Sequence, residues 1–210
     1  MKKIVLAWLC VCFITAAFPQ KTKFEAKIGT NLSSLTGDED EGVNPKIGLL
    51  VGGTFHFRIL DWLYFQPSLL LSEKGAVEKV LISSQQIKTK VDAWYGQMPL
   101  QVSFRFPVSN DIKIRLNGGV YYSYGLMGKT SVKVGSTSIT TNTFKKEYTD
   151  GEKFRSLITQ DLGVTFEMVV QYKQISLGLG LDRGITPVND DLSNYDLYNI
   201  SGNLTLGDWF

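Results

Sequence analysis

The chain has 210 residues and a formal charge of +2. That length allows one large domain or one barrel, and so even a charge balance, with no basic-aromatic stripe, argues against nucleic acid or any strongly charged partner. Charged residues make up 20 %, apolar residues 43 % and aromatics 12 %, with 20 glycines; this is too polar for a helical membrane bundle and suits an all-β chain in which only every second residue meets lipid.

The N-terminus reads as a signal peptide. Lys2 and Lys3 precede an apolar run from Ile4 to Ala17, the length of a secretory h-region and too short for a spanning helix. Cleavage is expected after residue 17, behind Thr15-Ala16-Ala17, or after residue 20, so 1–20 is the leader and 21–210 the mature domain. Cys10 and Cys12 both lie in the leader. Leu9 and Val11 precede them, where a lipoprotein signal would have a small residue. A mature chain without cysteine has no thiol nucleophile and no Cys-ligated zinc. Removing Lys2 and Lys3 from the 22 basic residues leaves 20, against 20 acidic ones.

The first strand is expected over about Lys23 to Leu35. Phe24, Ala26, Ile28, Thr30 and Leu32 share one face, and Glu25, Lys27, Gly29 and Asn31 the other. An acidic loop follows, Thr36 to Asn44. Its spacing does not match an EF-hand loop, so it reads as solvated. Strand two covers about Pro45 to Ile59, with His56 and Arg58 on the polar face. After the short link Leu60-Asp61-Trp62, strand three runs from Leu63 to Ser72, where Pro67 predicts a bulge or a local break. Glu73 to Asp92 is polar with strand-like pieces and reads as a projecting hairpin. Strand four is about Ala93 to Phe106, and 107–111 is a compact turn.

Strand five is expected from Ile112 to Met127, followed by a long polar excursion over Gly128 to Ser156. The clearest stretch is Leu162 to Leu181. Leu162, Val164, Phe166, Met168, Val170 and Tyr172 alternate with Gly163, Thr165, Glu167, Val169 and Gln171. Beyond Lys173-Gln174, Ile175, Leu177, Leu179 and Leu181 alternate with Ser176, Gly178 and Gly180. Strict period two with so short a link is an antiparallel hairpin. A polar loop over 186–194 leads to strand eight, about Tyr195 to Phe210.

Eight strands result, joined by connections that alternate in length. Those near 60, 108 and 173 are tight; those near 40, 82, 140 and 190 are longer and polar. This is the pattern of an eight-stranded antiparallel up-and-down transmembrane β-barrel, with large apolar side chains towards lipid and small polar ones towards the lumen. A soluble barrel has no reason to segregate loop length in this way. Two aromatic belts are expected. One lies near the tight turns and includes Trp62, Tyr64, Phe65, Phe104, Phe106, Trp209 and Phe210; the other, with Trp94, Tyr122, Tyr124 and Tyr198, lies near the long loops.

The leader, KIGTNLSSL (Lys27 to Leu35), PKIGLLVGGTFHF (Pro45 to Phe57), LYFQPSLLLSEKGA (Leu63 to Ala76), YGQMPLQVSFRF (Tyr95 to Phe106), DLGVTFEM (Asp161 to Met168) and a last strand ending in Phe210 occur in this order. In this the chain resembles the small outer-membrane β-barrel proteins of Gram-negative bacteria, the porin-family or PorT-like group. The resemblance spans essentially the mature chain. It implies an outer-membrane location with both termini periplasmic, contact with outer-membrane lipid, and Phe210 as an assembly signal read by the barrel assembly machinery. Asp208 departs from the apolar or aromatic residue usual two places before that terminal Phe. The resemblance implies no single activity.

His56 is the only histidine and faces the expected lumen. One His makes no multi-His metal site, and no G-x-S-x-G motif supplies a nucleophile. No catalytic residue, metal or cofactor is therefore assigned. Arg58, Arg105, Lys113 and Arg115 point inward near the tight-turn end. With Glu167 they are expected to form, together with His56, a lumen polar network, because buried charges need partners and eight strands enclose only enough room for their own side chains. The role expected is structural or binding, through an extracellular ligand or partner protein held by loops 72–92 and 128–156. The alternatives are a narrow porin-like channel, a secretion or assembly helper of the outer membrane, or a lipid-modifying barrel enzyme.

Overall fold

The computed structural model describes residues 22–37, 43–82, 85–134, 137–144, 148–149, 152–153, 157–188 and 196–210. Eight long strands form the ring. They are β1 (Lys23–Gly37), β2 (Val43–Arg58), β3 (Leu63–Ile82), β4 (Gln85–Pro107), β5 (Ile112–Val134), β9 (Gln160–Tyr172), β10 (Ile175–Gly184) and β11 (Leu197–Trp209). Three short strands lie between β5 and β9: β6 (Thr137–Asn142), β7 (Tyr148–Thr149) and β8 (Glu152–Lys153). Each long strand pairs antiparallel with its sequence neighbour, β5 pairs with β9, and β11 returns to β1, with Glu25 opposite Trp209 and Leu32 opposite Gly202. The sheet therefore closes on itself and leaves no free edge within the barrel.

The apolar face is outside. Phe166, Leu177 and Leu204 are 51 %, 48 % and 47 % exposed, while Arg115 and Glu25 are fully buried. Period-two alternation produces this directly: β9 alternates exposed and buried at every residue. Lipid is the medium that rewards such an inversion, since an outward Lys or Arg at the bilayer midplane costs about 2–4 kcal/mol. The expected belts are redrawn in two places. Trp209 is buried, and Tyr64 lies under the guanidinium of Arg105, 3.4 Å from its ring centre, so both belong to the interior.

The tight connections leave little slack. At the β9–β10 turn Lys173 has φ 53°, and its N–H donates to the Asp111 carbonyl of the neighbouring turn at 2.9 Å. Pro67 interrupts both of its ladders but shifts neither register. The register shifts lie elsewhere, between Pro45 and Leu50 against β3 and at Trp94/Tyr95 against β5.

Strand length bears out the projecting hairpin expected over Glu73 to Asp92 and adds that it continues the barrel strands without a break in pairing. A tilted membrane strand needs about 9–11 residues, whereas β3 has 20 and β4 and β5 have 23 each. The polar stretch from Glu73 to Asp92 is a continuous hairpin, Glu73 opposite Trp94 through to Ile82 opposite Gln85. The stretch after Gly128 begins as β5 itself and turns back as β6. A sheet of β3, β4, β5 and β6 thus rises from one side of the ring at the long-connection end. The signal-peptide expectation and most of the 36–44 and 186–194 loops fall outside the described residues.

Candidate functional site: the lumen and its two ends

The inward positions form layers of charge along the barrel axis. At the tight-turn end Glu25 of β1 is the hub. Arg115 donates from both terminal nitrogens to its two oxygens, at 2.9 and 3.1 Å. His56 lies 2.9 Å away through Nε2, and Ser176 donates its hydroxyl. Arg105 donates to His56 Nδ1 at 2.7 Å. A guanidinium can only donate, so Nδ1 accepts, the proton sits on Nε2, and the imidazole is neutral as it donates to Glu25. Trp209 stacks on His56 with ring centres 4.1 Å apart, and both arginines lie over its indole at 4.8 and 4.7 Å.

Higher up, Lys27 binds both oxygens of Glu167 at 2.9 and 3.0 Å, and Asn117 and Thr205 donate to the same carboxylate. Next, Gln97 and Asn203 donate to Asp182 at 2.9 and 3.0 Å. Nearest the long-connection end, Tyr121 and Asn199 donate to Asp161, and Lys74 sits 3.7 Å from it and 4.7 Å over the Tyr121 ring. Gly163 makes room there, since a Cβ would come within 2.5 Å of the Tyr121 ring. The Lys27–Glu167, Gln97–Asp182 and Lys74–Asp161 contacts cross the lumen. β1 and β5 stand opposite each other in the ring of eight, so Glu25–Arg115 spans a diameter.

Of the residues expected in this network, His56, Arg105, Arg115 and Glu167 lie in the lumen, but Glu167 is held by Lys27, one layer above the arginines. Arg58 and Lys113 are elsewhere. The last residue of β2, Arg58 is 46 % exposed and paired with Asp61 inside the turn. Lys113 has inward parity but stands exposed at the tight-turn mouth. Sequence reasoning placed Glu25 and Lys27 on the inward face without giving them a role. It missed Lys74 and Trp209 as lumen residues altogether. The signal was the same alternation that found the others.

Among the described residues the buried cations are Lys27, Lys74, Arg105 and Arg115, and the buried anions are Glu25, Asp161, Glu167 and Asp182. With His56 neutral the interior carries no net charge. A space of ≈ 30 Å³ lies between Lys27, Ser68, Gln97, Gln101, Glu167 and Asp182, room for about two waters. A larger recess of ≈ 610 Å³, bordered by Leu32, Ile47, Phe166, Leu181 and Leu204, opens on the lipid face.

The long-connection end is covered as well. Thr143 and Val188 are fully buried, and Phe144 meets Tyr95 edge-on at 5.6 Å. The segments carrying them bond to one another: Leu157 N–H to the Thr143 carbonyl at 2.8 Å, Ile158 to Val188 at 2.7 Å, and Val188 to Leu197 at 2.8 Å. Among the described residues no three His, Cys, Asp or Glu side chains are grouped as metal ligands.

Residues 18–190 match the family model described as outer membrane protein beta-barrel domain. The chain belongs to this family. Outer-membrane location follows for this barrel, and its charged interior and apolar exterior are those of a protein immersed in a bilayer. Among solved structures it is similar to a major outer membrane protein of Thermus thermophilus, at 11 % identity and TM-score 0.49 over 91 % of this chain and 100 % of that one. It is also similar to OprG of Pseudomonas aeruginosa, at 12 % identity and TM-score 0.46 over 90 % and 95 %. For Ail, the attachment invasion locus protein of Yersinia pestis, the values are 12 % identity and TM-score 0.40 over 91 % and 100 %. Likenesses at this level add nothing to the fold that the strand pairings already define. Among curated proteins none matches the chain.

Proposed function

We propose that this outer-membrane barrel is a closed, non-enzymatic anchor, and that its work is done by the sheet it holds beyond the membrane. The observation that carries this reading is the filled lumen: four buried cations face four buried anions, three of each joined in pairs across the barrel, while Arg105 bonds His56 and Asp182 bonds Gln97 and Asn203. An eight-stranded ring has only enough interior for its side chains, and here Glu25, Glu167, Asp182 and Asp161 each gather two or more of them. An anion-conducting pore would need a positive lining free to meet an ion. Each buried arginine, Arg105 and Arg115, is instead committed to His56 or Glu25.

The termini and tight turns face the periplasm in this reading, and the β3–β6 sheet faces outward. Short turns on the periplasmic side and long structures outside are the habit of such barrels. The extension then offers a ligand or partner a rigid, strand-built surface rather than a mobile loop. Two experiments test these points. Liposomes carrying the purified protein should swell in arabinose no faster than empty liposomes; swelling at a porin's rate contradicts the closed lumen. An epitope in the β3–β4 connection should be detected on intact cells, and one between Val108 and Asp111 only after permeabilisation. The opposite pattern reverses the orientation.

A further inference from the structure

The strand registers bring together lysines that are scattered in sequence. On the outward face, Trp94 pairs with Glu73 and Met127 at the edge of the lipid-facing band. One rung above on that face come Gly75, Asp92, Lys129 and Asn142, then Val77, Lys90, Ser131 and Thr140, then Lys79, Lys88, Lys133 and Ser138. Five exposed lysines therefore share one face of the extension. Lys90 pairs with Asp92 at 2.9 Å, and Asp92 is also held by Lys46 at 2.5 Å. Among the described residues Lys79, Lys88, Lys129 and Lys133 have no carboxylate partner.

Three of these lysines stand directly opposite one another across β3, β4 and β5, an arrangement that repels. Edge protection does not explain it, because lysines placed against aggregation belong on edge strands, while β4 and β5 are internal to this sheet. The other face of the same sheet carries Ala76, Val91, Thr130 and Thr141, then Glu78, Thr89, Val132 and Ile139. A ligand approaching over the barrel mouth would meet that nearly uncharged face. The lysine face instead continues the lipid-facing surface upward. Its last rung lies six residues from Trp94 along β4, roughly 20 Å of strand and, at the usual tilt of such barrels, about 15 Å of height. That height is alongside the headgroups and sugars of the leaflet.

We propose that this face binds the phosphorylated sugar headgroup of an outer-leaflet glycolipid, with Lys79, Lys88 and Lys133 pairing its phosphates and Lys129 lying nearest the membrane. The proposal rests on the outward orientation given above. The epitope experiment decides that orientation separately, since binding by the purified barrel does not depend on it.

The test uses the full-length folded protein in detergent, titrated with lipopolysaccharide bearing a phosphorylated core and with the same material after dephosphorylation. Wild type should bind the phosphorylated form at least tenfold more tightly. The triple variant K79Q/K88Q/K133Q should lose about 100-fold, at about fivefold per lysine beside an anionic surface, and the triple Lys→Arg variant should retain binding. Heat-modifiable gel mobility shows whether each variant is folded. Equal affinity for the dephosphorylated form, or unchanged affinity in the glutamine variant, overturns the proposal. So does lysine-dependent binding of polyglutamate with no binding of lipopolysaccharide, which would assign the face to an acidic protein.

Discussion

Glu25 and Arg115, 90 residues apart in sequence, form a two-pronged ion pair at 2.9 and 3.1 Å with both side chains fully out of solvent. Because their strands are diametrically opposed, the pair ties one wall of the barrel to the other. Removing one partner leaves a buried charge uncompensated, which typically costs about 3–5 kcal/mol. Glu25→Gln should therefore lower the unfolding free energy in lipid vesicles by about that amount, read from denaturant titration. The double variant Glu25→Gln/Arg115→Met should recover more than half of it. A double variant as unstable as the single one would show that the pair is not the tie described.

Tryptophan position separates lumen from lipid. Trp62 is 51 % exposed on the outside and Trp209 is 6 % exposed inside. In variants retaining only one tryptophan, brominated lipid should quench Trp62 strongly and Trp209 weakly. Equal quenching would place Trp209 in the belt and remove the stacking on His56.

Lys173 adopts a left-handed backbone at φ 53°, a conformation that costs a residue with a Cβ about 1–2 kcal/mol. Lys173→Gly should raise stability by up to about 1 kcal/mol, because the glycine gains are partly offset by its freer unfolded state. Lys173→Val should lower it, through a β-branched side chain in the same conformation. The two denaturation midpoints give the comparison.

How much of this was legible in the sequence follows one physical rule. Alternation fixes facing, so Leu177 outside and Ser176 inside could be read from Ile175 onward. It does not fix height. Tilted, staggered strands decide which inward residues meet, and that is why Glu167 finds Lys27 rather than the arginines. Strand ends were equally hidden. β2 stops at Arg58, one residue before the expected Ile59, and the short link places Asp61 where it captures the guanidinium. The lysine face needed three registers at once, including the extra residue at Leu126 that brings Met127 opposite Trp94. A formal charge of +2 gave no hint of so local a concentration.

The cover at the long-connection end can be loosened without touching the ion pairs. Phe144 fills the space over Gly125 and packs on Tyr95. Both cysteines, Cys10 and Cys12, lie within residues 1–20, so a Ser123→Cys variant expressed from residue 21 carries a single thiol. Ser123 is fully buried beneath the cover. Adding Phe144→Ala should speed its labelling by a small hydrophilic thiol reagent about tenfold, as expected when local opening becomes about 1.4 kcal/mol easier. Equal rates would mean that Phe144 does not control access.

Single-channel recording in planar bilayers bears most directly on the proposal that the lumen is closed. The wild-type protein should insert without producing discrete, long-lived conductance steps at moderate voltage, because the proposed plug places the bonded Glu25, Arg115 and His56 across the tight-turn end. Reproducible steps of stable size, present in wild type and scaling with salt, would mean that the interior is a pore.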